Sequence, residues 1–372
     1  MRRYKSIDII RGFCMIIMVC GHLIDWWLTE EDYWLFLLLW SIFAAIGAGG
    51  FLFISGTVTA LSYKNRILQE KDSNNEKMDF MRNTYIFRAL LLLAIAFIYN
   101  TIIAIAINDL TWIWAWFVLQ TIGFALLMAW PFLKSSKLFR ILFAIIILIA
   151  NYILLDLLLP YKGQVNLYGI LFHILYNPVI LYPILPFFSI FLFGTVVGDI
   201  LFEINQIEDQ NARNLILKQK FIRPLFLVGV LITIFSIFFY FPSFFQYPSF
   251  SAMVYALGIN LIIISLLIGI EEFKGFKLEK IYTFFFYYSY YSFTIFLAHN
   301  PLYFLFNRQL NIFTIWVAVI ISMVFITLLL NLVYKKLGPK ASLKVGISVL
   351  SYILATKIEH KKLKKKEKNS NC

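Results

Sequence analysis

Apolar segments long enough to cross a bilayer recur along this chain and leave it few other ways to fold. A spanning helix needs about 20 predominantly apolar residues. Segments of this kind are found at 7–28, 33–63, 84–106, 110–132, 138–159, 183–204, 221–241, 251–270, 281–306 and 312–333. The composition, 61% hydrophobic and 14% charged, is also far from that of a soluble domain. We therefore predict an all-α polytopic membrane protein, with about ten transmembrane helices in one bundle over residues 1–334.

Lysine and arginine residues are distributed unequally between alternate loops. If the N-terminus is cytosolic, the loops on the opposite side hold only Lys162 and Arg308. Cytosolic loops of membrane proteins carry an excess of lysine and arginine. The distribution therefore predicts that both termini are cytosolic, and we expect the chain to lie in the plasma membrane.

Residues 335–372 form a basic tail that contains a short apolar stretch at 345–355. This stretch is too short to span a bilayer, so we predict an interfacial helix. Lysine clusters that follow such a helix on the cytosolic side most often bind anionic lipid head groups. The net charge of +13 is therefore assigned to the membrane surface and not to nucleic acid. A homodimer is compatible with the sequence.

The first apolar segment carries polar and ionisable residues on one helical face. Intervals of three or four residues separate Asp8, Arg11, Met15, Met18, His22 and Asp25, which places them in one stripe. At 1.5 Å per residue, Arg11 and His22 lie about 16 Å apart along the axis. Ionisable groups at membrane depth are costly and by default mark functional sites. The alternative is a packed helix with a snorkelling Arg11 and a hydrogen-bonded His22.

Three of the four histidines, His22, His173 and His299, map to the outer half of the bilayer in this topology. Imidazole is the side chain best suited to proton transfer near neutral pH. His299 precedes Asn300 and shares a helical face with Tyr303. The alternatives are interhelical hydrogen bonding for His299 and a loop position for His173. The spacing of the histidines is not that of a metal motif, so no metal is predicted.

Two further sets of residues lie near the ends of the predicted helices. Arg82 and Arg88 flank the cytosolic start of the third segment, and arginine binds phosphate through its forked donors. The positive-inside distribution alone would also place arginines there. On the outer side, residues 160–182 form the longest loop and contain His173 and Asn177. We expect this loop to fold back into the membrane or to cover a cavity.

With these residues, the chain resembles the transmembrane acyltransferase superfamily, in particular the catalytic domain of heparan-α-glucosaminide N-acetyltransferase and its prokaryotic relatives. The resemblance rests on residues 6–12 followed by Met18 and His22, and it continues in 51–56, 185–187 and 292–299. Ten residues lie between Arg11 and His22, as in the acyltransferase-3 branch. The chain departs from that branch because it has no tight Arg-x-x-Arg pair after its second segment.

The resemblance implies transfer of an acetyl group from cytosolic acetyl-CoA to a sugar amine or hydroxyl at the outer face. His22 would be the catalytic residue, as general base or as acetyl carrier. Asp25 would orient the ring of His22, and His299, Asn300 or Tyr303 would polarise the carbonyl oxygen of the thioester.

The other candidate residues divide between the two substrates. We assign the coenzyme to Arg11, Arg82, Arg88, Met15 and Met18, and the acceptor to His173, Asn177, Asn300 and Tyr303. A rival function remains open at this point. The same polar stripes would line the permeation path of a transporter or channel for a small anion or a lipid-linked sugar.

Overall fold

A computed structural model describes residues 3–70, 75–176, 182–239, 248–273 and 279–370. These residues form α-helices, short 3₁₀ and π turns, and no β-strand. The helices are α1 (Lys5–Trp27), α2 (Trp34–Ala44), α3 (Gly50–Glu70), α4 (Asn75–Ala106), α5 (Val118–Phe132), α6 (Lys137–Leu158), α7 (Leu167–Tyr176), α8 (Ile184–Asn205), α9 (Gln210–Ile216), α10 (Arg223–Phe238), α11 (Phe250–Phe273), α12 (Glu279–Tyr290), α13 (Ser292–Ala298), α14 (Thr314–Leu337) and α15 (Leu343–Ser370). Nine helical stretches of the described residues are long and apolar enough to cross a membrane. The predicted all-α polytopic fold is confirmed, while the sides on which the termini lie stay a prediction.

The predicted segment 281–306 is not one continuous helix, because α12 and α13 are separated at Tyr291. The break is held by the turn between α14 and α15. Tyr291 Oη donates to the carbonyl oxygen of Gly338 at 2.7 Å, and Thr294 Oγ1 donates to that of Ala341 at 3.0 Å. Irregular backbone at membrane depth is tolerated where it is buried in protein. The broken helix is also the reason that nine long stretches are found and not ten.

The bundle is built around α8, the most buried of the candidate spans. Its contact with α3 is close because both helices present glycine. A Cβ atom on Gly56 would lie 2.1 Å from the carbonyl oxygen of Phe191, and one on Gly194 would lie 2.0 Å from that of Phe53. Small residues let membrane helices approach backbone to backbone in this way.

Helix α6 is joined to α8 by a buried ion pair between Arg140 and Asp199. Arg140 is 1% exposed and Asp199 is 3% exposed. The guanidinium also donates to Thr195 Oγ1 at 3.0 Å. The same two helices carry a solvent-exposed pair, Lys137 with Glu203, at 2.6 Å.

Helix α1 is held in a fixed rotation by α11 and α12. The Glu271 carboxylate accepts hydrogen bonds from the backbone N–H groups of Lys5 and Ser6, at 3.0 and 2.8 Å. Further along, a Cβ atom on Gly12 would lie 2.2 Å from the carbonyl oxygen of Phe285. Only glycine permits that approach, so the polar stripe of α1 cannot rotate freely.

The basic tail is helical over Leu343–Ser370 and packs along α4. Ile347 is 7% exposed and belongs to a core cluster that also contains Ala96 and Phe293. Further along the helix, Lys362 Nζ lies 3.4 Å from Asp79 of α4. The first turns of the tail are therefore part of the bundle, while an interfacial position for the rest stays a prediction.

Candidate functional site

A cavity of about 840 Å³ lies within the bundle, with walls formed by α1 to α5, α13 and α15. Its size is typical of ligand-binding pockets. The stripe of α1 lines it with Arg11, Met15, Met18, His22 and Asp25. We call the part lined by Arg11 the arginine end and the part lined by His22 the histidine end. One cavity therefore runs along the stripe from Arg11 to Asp25, and Asp8 lies outside its lining.

At the histidine end, two imidazoles and an indole are packed together. The ring centroids of His22 and His299 are 5.1 Å apart. Trp26 stacks on both rings, with centroid distances of 5.1 Å to His22 and 5.4 Å to His299. The structure thus brings together two histidines from opposite ends of the sequence.

The hydrogen bonds of His299 define its tautomer. Nδ1 lies 2.8 Å from the carbonyl oxygen of Phe296, and a carbonyl oxygen only accepts, so Nδ1 carries the proton. Nε2 is therefore an acceptor, and it is buried without a hydrogen-bond partner among the described residues. Buried polar atoms are rarely left unpaired. His299 offers an unprotonated nitrogen beside His22, whose own ring has no hydrogen bond within the described part of the chain.

Backbone hydrogen bonds fix the segment after α13 against the end of α1. Arg308 N donates to the carbonyl oxygen of Trp26 at 2.9 Å, and Leu310 N donates to that of Trp27 at 2.8 Å. The indole N–H of Trp27 donates to the carbonyl oxygen of Leu302 at 2.8 Å. These bonds hold His299 opposite α1.

Asp25 lines the histidine end but has a different partner from the one that the sequence predicted. Its Oδ1 accepts a hydrogen bond from Tyr33 Oη at 2.7 Å, and no hydrogen bond to His22 is found in the described residues. Burial and the bond to Asp25 raise the pKa of Tyr33 to about 12, so the phenol remains a donor at neutral pH. The second carboxylate oxygen of Asp25 has no hydrogen-bond partner among the described residues, although the charge of Arg308 reaches the carboxylate. The predicted orientation of the His22 ring by Asp25 therefore has no contact to support it.

At the arginine end, the cavity is lined by Arg11, Arg66, Arg88 and Lys344. The charges of Arg11 and Arg66 both reach Arg88. Arg11 lies 3.9 Å from Asp8. For the other three cations, no carboxylate lies within 4.0 Å among the residues whose side chains are described. A cavity wall with this excess of positive charge attracts an anionic ligand.

The sequence and the structure differ on which cations line this end. Arg82 was predicted with Arg88, but it does not line the cavity and pairs with Asp79 at 3.1 Å. Arg66 and Lys344 were not predicted. No local signal distinguishes them, because lysine and arginine are common throughout the positively charged loops and the tail.

The predicted acceptor residues are also divided. Asn300 lines the cavity, and its Oδ1 accepts from Tyr99 Oη at 3.1 Å. His173 is exposed on α7 and does not line the cavity. Tyr303 lies outside the lining as well, although its ring meets that of Trp26 edge-on. Asn177 lies outside the described residues.

Comparison with known proteins gives one family match. The sequence model described as heparan-alpha-glucosaminide N-acetyltransferase, catalytic, matches residues 3–241, which is more than half of the chain. A search of curated proteins found no match. The matched region includes Arg11, His22 and Arg88 but ends before His299 and Lys344. The structure brings those last two residues into the same cavity as the matched ones.

Proposed function

Because this chain belongs to the heparan-α-glucosaminide N-acetyltransferase catalytic family, we propose that it transfers an acetyl group from cytosolic acetyl-CoA to a sugar amine or hydroxyl at the outer membrane face. Family membership and the nine apolar stretches of the described residues make it an integral membrane acetyltransferase. One observation carries the finer proposal. A single cavity is lined by arginine and lysine residues at one end and by two adjacent imidazoles at the other.

The cavity matches the chemistry of an acyl-coenzyme A molecule along its length. The phosphate groups of the coenzyme suit the arginine end, because arginine binds phosphate through paired donors. The middle of the wall is apolar, with Met15, Met18, Phe51 and Phe293, and suits the pantetheine arm. The axial separation of Arg11 from the histidine end, about 16 Å, is one that an extended arm spans. The thioester then lies beside His22.

The histidine end supplies a base for the transfer. We assign to His22 the removal of the proton from the acceptor nitrogen or oxygen as that atom attacks the thioester carbonyl. The new carbon–nitrogen or carbon–oxygen bond forms as the carbon–sulfur bond breaks. His22 then gives the proton to the sulfur, so coenzyme A leaves as the free thiol. His299 Nε2 can share that proton, since it is an unpaired acceptor beside the ring of His22.

The acceptor is assigned to the same end, where Asp25 lines the cavity. The carboxylate of Asp25 can accept charge-assisted hydrogen bonds from a neutral amine or from the hydroxyl groups of a sugar. Asp25 is held for this role by Tyr33. Asn300, which accepts from Tyr99, adds a second polar group.

Donor binding and transfer should be separable by substitution at the two ends. We expect Arg88→Gln to weaken coenzyme A binding, while His22→Ala keeps that binding and loses acetyl transfer to glucosamine. Arg82→Gln is the matched control, because Arg82 lies on the same helix but pairs with Asp79 and is outside the cavity lining. Calorimetric titration with coenzyme A and a radiolabelled acetyl-transfer assay measure the two properties.

Two results would contradict the proposal. One is equal coenzyme A affinity in the Arg88→Gln and wild-type proteins. The other is wild-type acetyl transfer by a folded His22→Ala protein.

A further inference from the structure

The start of helix α15 is held in a defined position by the broken helix of α12 and α13. Ser342 Oγ donates to the carbonyl oxygen of Tyr290 at 3.1 Å, and the backbone N–H of Leu343 donates to Thr294 Oγ1 at 3.1 Å. One turn later, Ile347 is buried against α4 and α13. Lys344 is therefore carried on a fixed turn, and it lines the arginine end of the cavity.

Lys344 occupies a place that disfavours a positive charge. The repulsive charges of Arg11, Arg88 and Arg3 reach it against the attractive charge of Asp8, and no described carboxylate lies within ion-pair distance of it. It also lies in the first turn of α15, which contains no acidic residue. The N-terminus of a helix carries a partial positive charge that favours anions and disfavours cations. The fold alone therefore gives no reason for a lysine here.

An anion in the cavity would offset the repulsion between Lys344, the arginines and the N-terminus of α15, because it attracts all of them. Lys344, Arg11 and Arg88 would then face a negative group, and the N-terminus of α15 would add its own attraction, as helix N-termini do at phosphate sites. Two hydroxyl side chains of α15, Ser348 and Ser351, line the same wall. We propose that Lys344, on the first turn of the C-terminal helix, is a phosphate-binding residue of the acyl-donor site. On this view, the tail helix is part of the wall that holds the nucleotide end of the donor.

This inference rests on the proposed function, and it adds a residue beyond the region matched by the family. A phosphate-binding lysine should lower coenzyme A affinity when its charge is removed. We expect Lys344→Gln to raise the Kd for coenzyme A about tenfold, the size expected for loss of one hydrogen bond to a charged group. Lys344→Arg should remain within about twofold of the wild type, because it keeps the charge. The matched control is Lys357→Gln, an exposed position on the same helix outside the cavity lining.

A second readout separates ligand binding from a role in folding. Removal of Lys344 relieves repulsion with Arg11 and Arg88, so without ligand the Lys344→Gln protein should unfold at the same temperature as the wild type or higher. Its stabilisation by added coenzyme A should be smaller. The loss in kcat/KM should also be greater for acetyl-CoA than for S-acetylpantetheine, which carries no nucleotide phosphates.

The outcomes distinguish this inference from the proposed function. Unchanged coenzyme A affinity in Lys344→Gln, together with weakened affinity in Arg88→Gln, overturns the role of Lys344 and leaves the proposed function standing. A Lys344→Gln protein that unfolds at a lower temperature without ligand, and loses both donors equally, also overturns that role. Absence of coenzyme A binding by the wild-type protein overturns both.

Discussion

Single and double replacement of His22 and His299 tests whether the two imidazoles work as a unit. Their ring centroids are 5.1 Å apart, and Nε2 of His299 is the unpaired acceptor. A positioned general base contributes about 10²- to 10⁴-fold to rate, which corresponds to about 3–5 kcal/mol of transition-state stabilisation. We expect His22→Ala to lose an amount in this range. His299→Ala should lose less, because it removes the partner that shares the proton and not the base.

The double variant provides the decisive comparison. If His299 acts only through His22, then His22→Ala already removes the contribution of His299 to the rate. The double variant should then be no slower than His22→Ala. If the two residues contribute independently, their losses multiply. The assay is kcat/KM for radiolabelled acetyl transfer by purified protein, with coenzyme A binding measured alongside to show that the donor site is intact.

The histidine on α7 supplies the control for this cycle. His173 is exposed and outside the cavity lining, so His173→Ala should transfer acetyl groups at the wild-type rate. A multiplicative double variant would refute the coupling of the two imidazoles. Loss of activity in His173→Ala equal to that in His22→Ala would refute the location of the chemistry.

Helical periodicity was sufficient to place the stripe of α1. Residues spaced by three and four share a helix face. In the structure Arg11, Met15, Met18, His22 and Asp25 line one cavity, while Asp8 lies outside its lining and accepts a hydrogen bond from Arg3. The contacts made by that face were not available from the sequence. Asp25 was assigned to the His22 ring because it is one turn away, yet its hydrogen bond goes to Tyr33, on the segment before α2.

Membrane depth was not sufficient to place residues on the other helices, because depth does not fix the direction in which a side chain points. Arg88 is six positions after Arg82, which corresponds to a rotation of about 240° on a helix. The two cannot share a face, and only Arg88 lines the cavity. His173 lies at a predicted depth similar to that of His22, but α7 leaves it exposed.

The broken helix and the entry of the tail into the bundle depend on long-range contacts. Neither proline nor glycine marks the break at Tyr291. Its hydrogen bonds go to a turn more than forty positions further along the chain, at Gly338 and Ala341. The length of the apolar stretch at 345–355 by itself predicts an interfacial helix. The burial of Ile347 within this stretch follows from the contact of the preceding turn with the break in the helix.

Two further predictions concern the acceptor and the stability of the bundle. Asp25→Asn should raise KM for glucosamine about tenfold through loss of a charge-assisted hydrogen bond, with unchanged coenzyme A affinity in calorimetric titration; a KM like that of the wild type would refute its role at the acceptor. Arg140→Ala should destabilise the protein by about 3 kcal/mol, because it leaves the buried Asp199 with only the more distant Lys64, at 4.0 Å, as a described cationic partner. Lys137→Ala breaks an exposed pair between the same two helices and should cost about 1 kcal/mol or less. Thermal unfolding of the purified proteins in detergent compares the two variants, and equal losses would show that the buried pair does not stabilise the contact between α6 and α8.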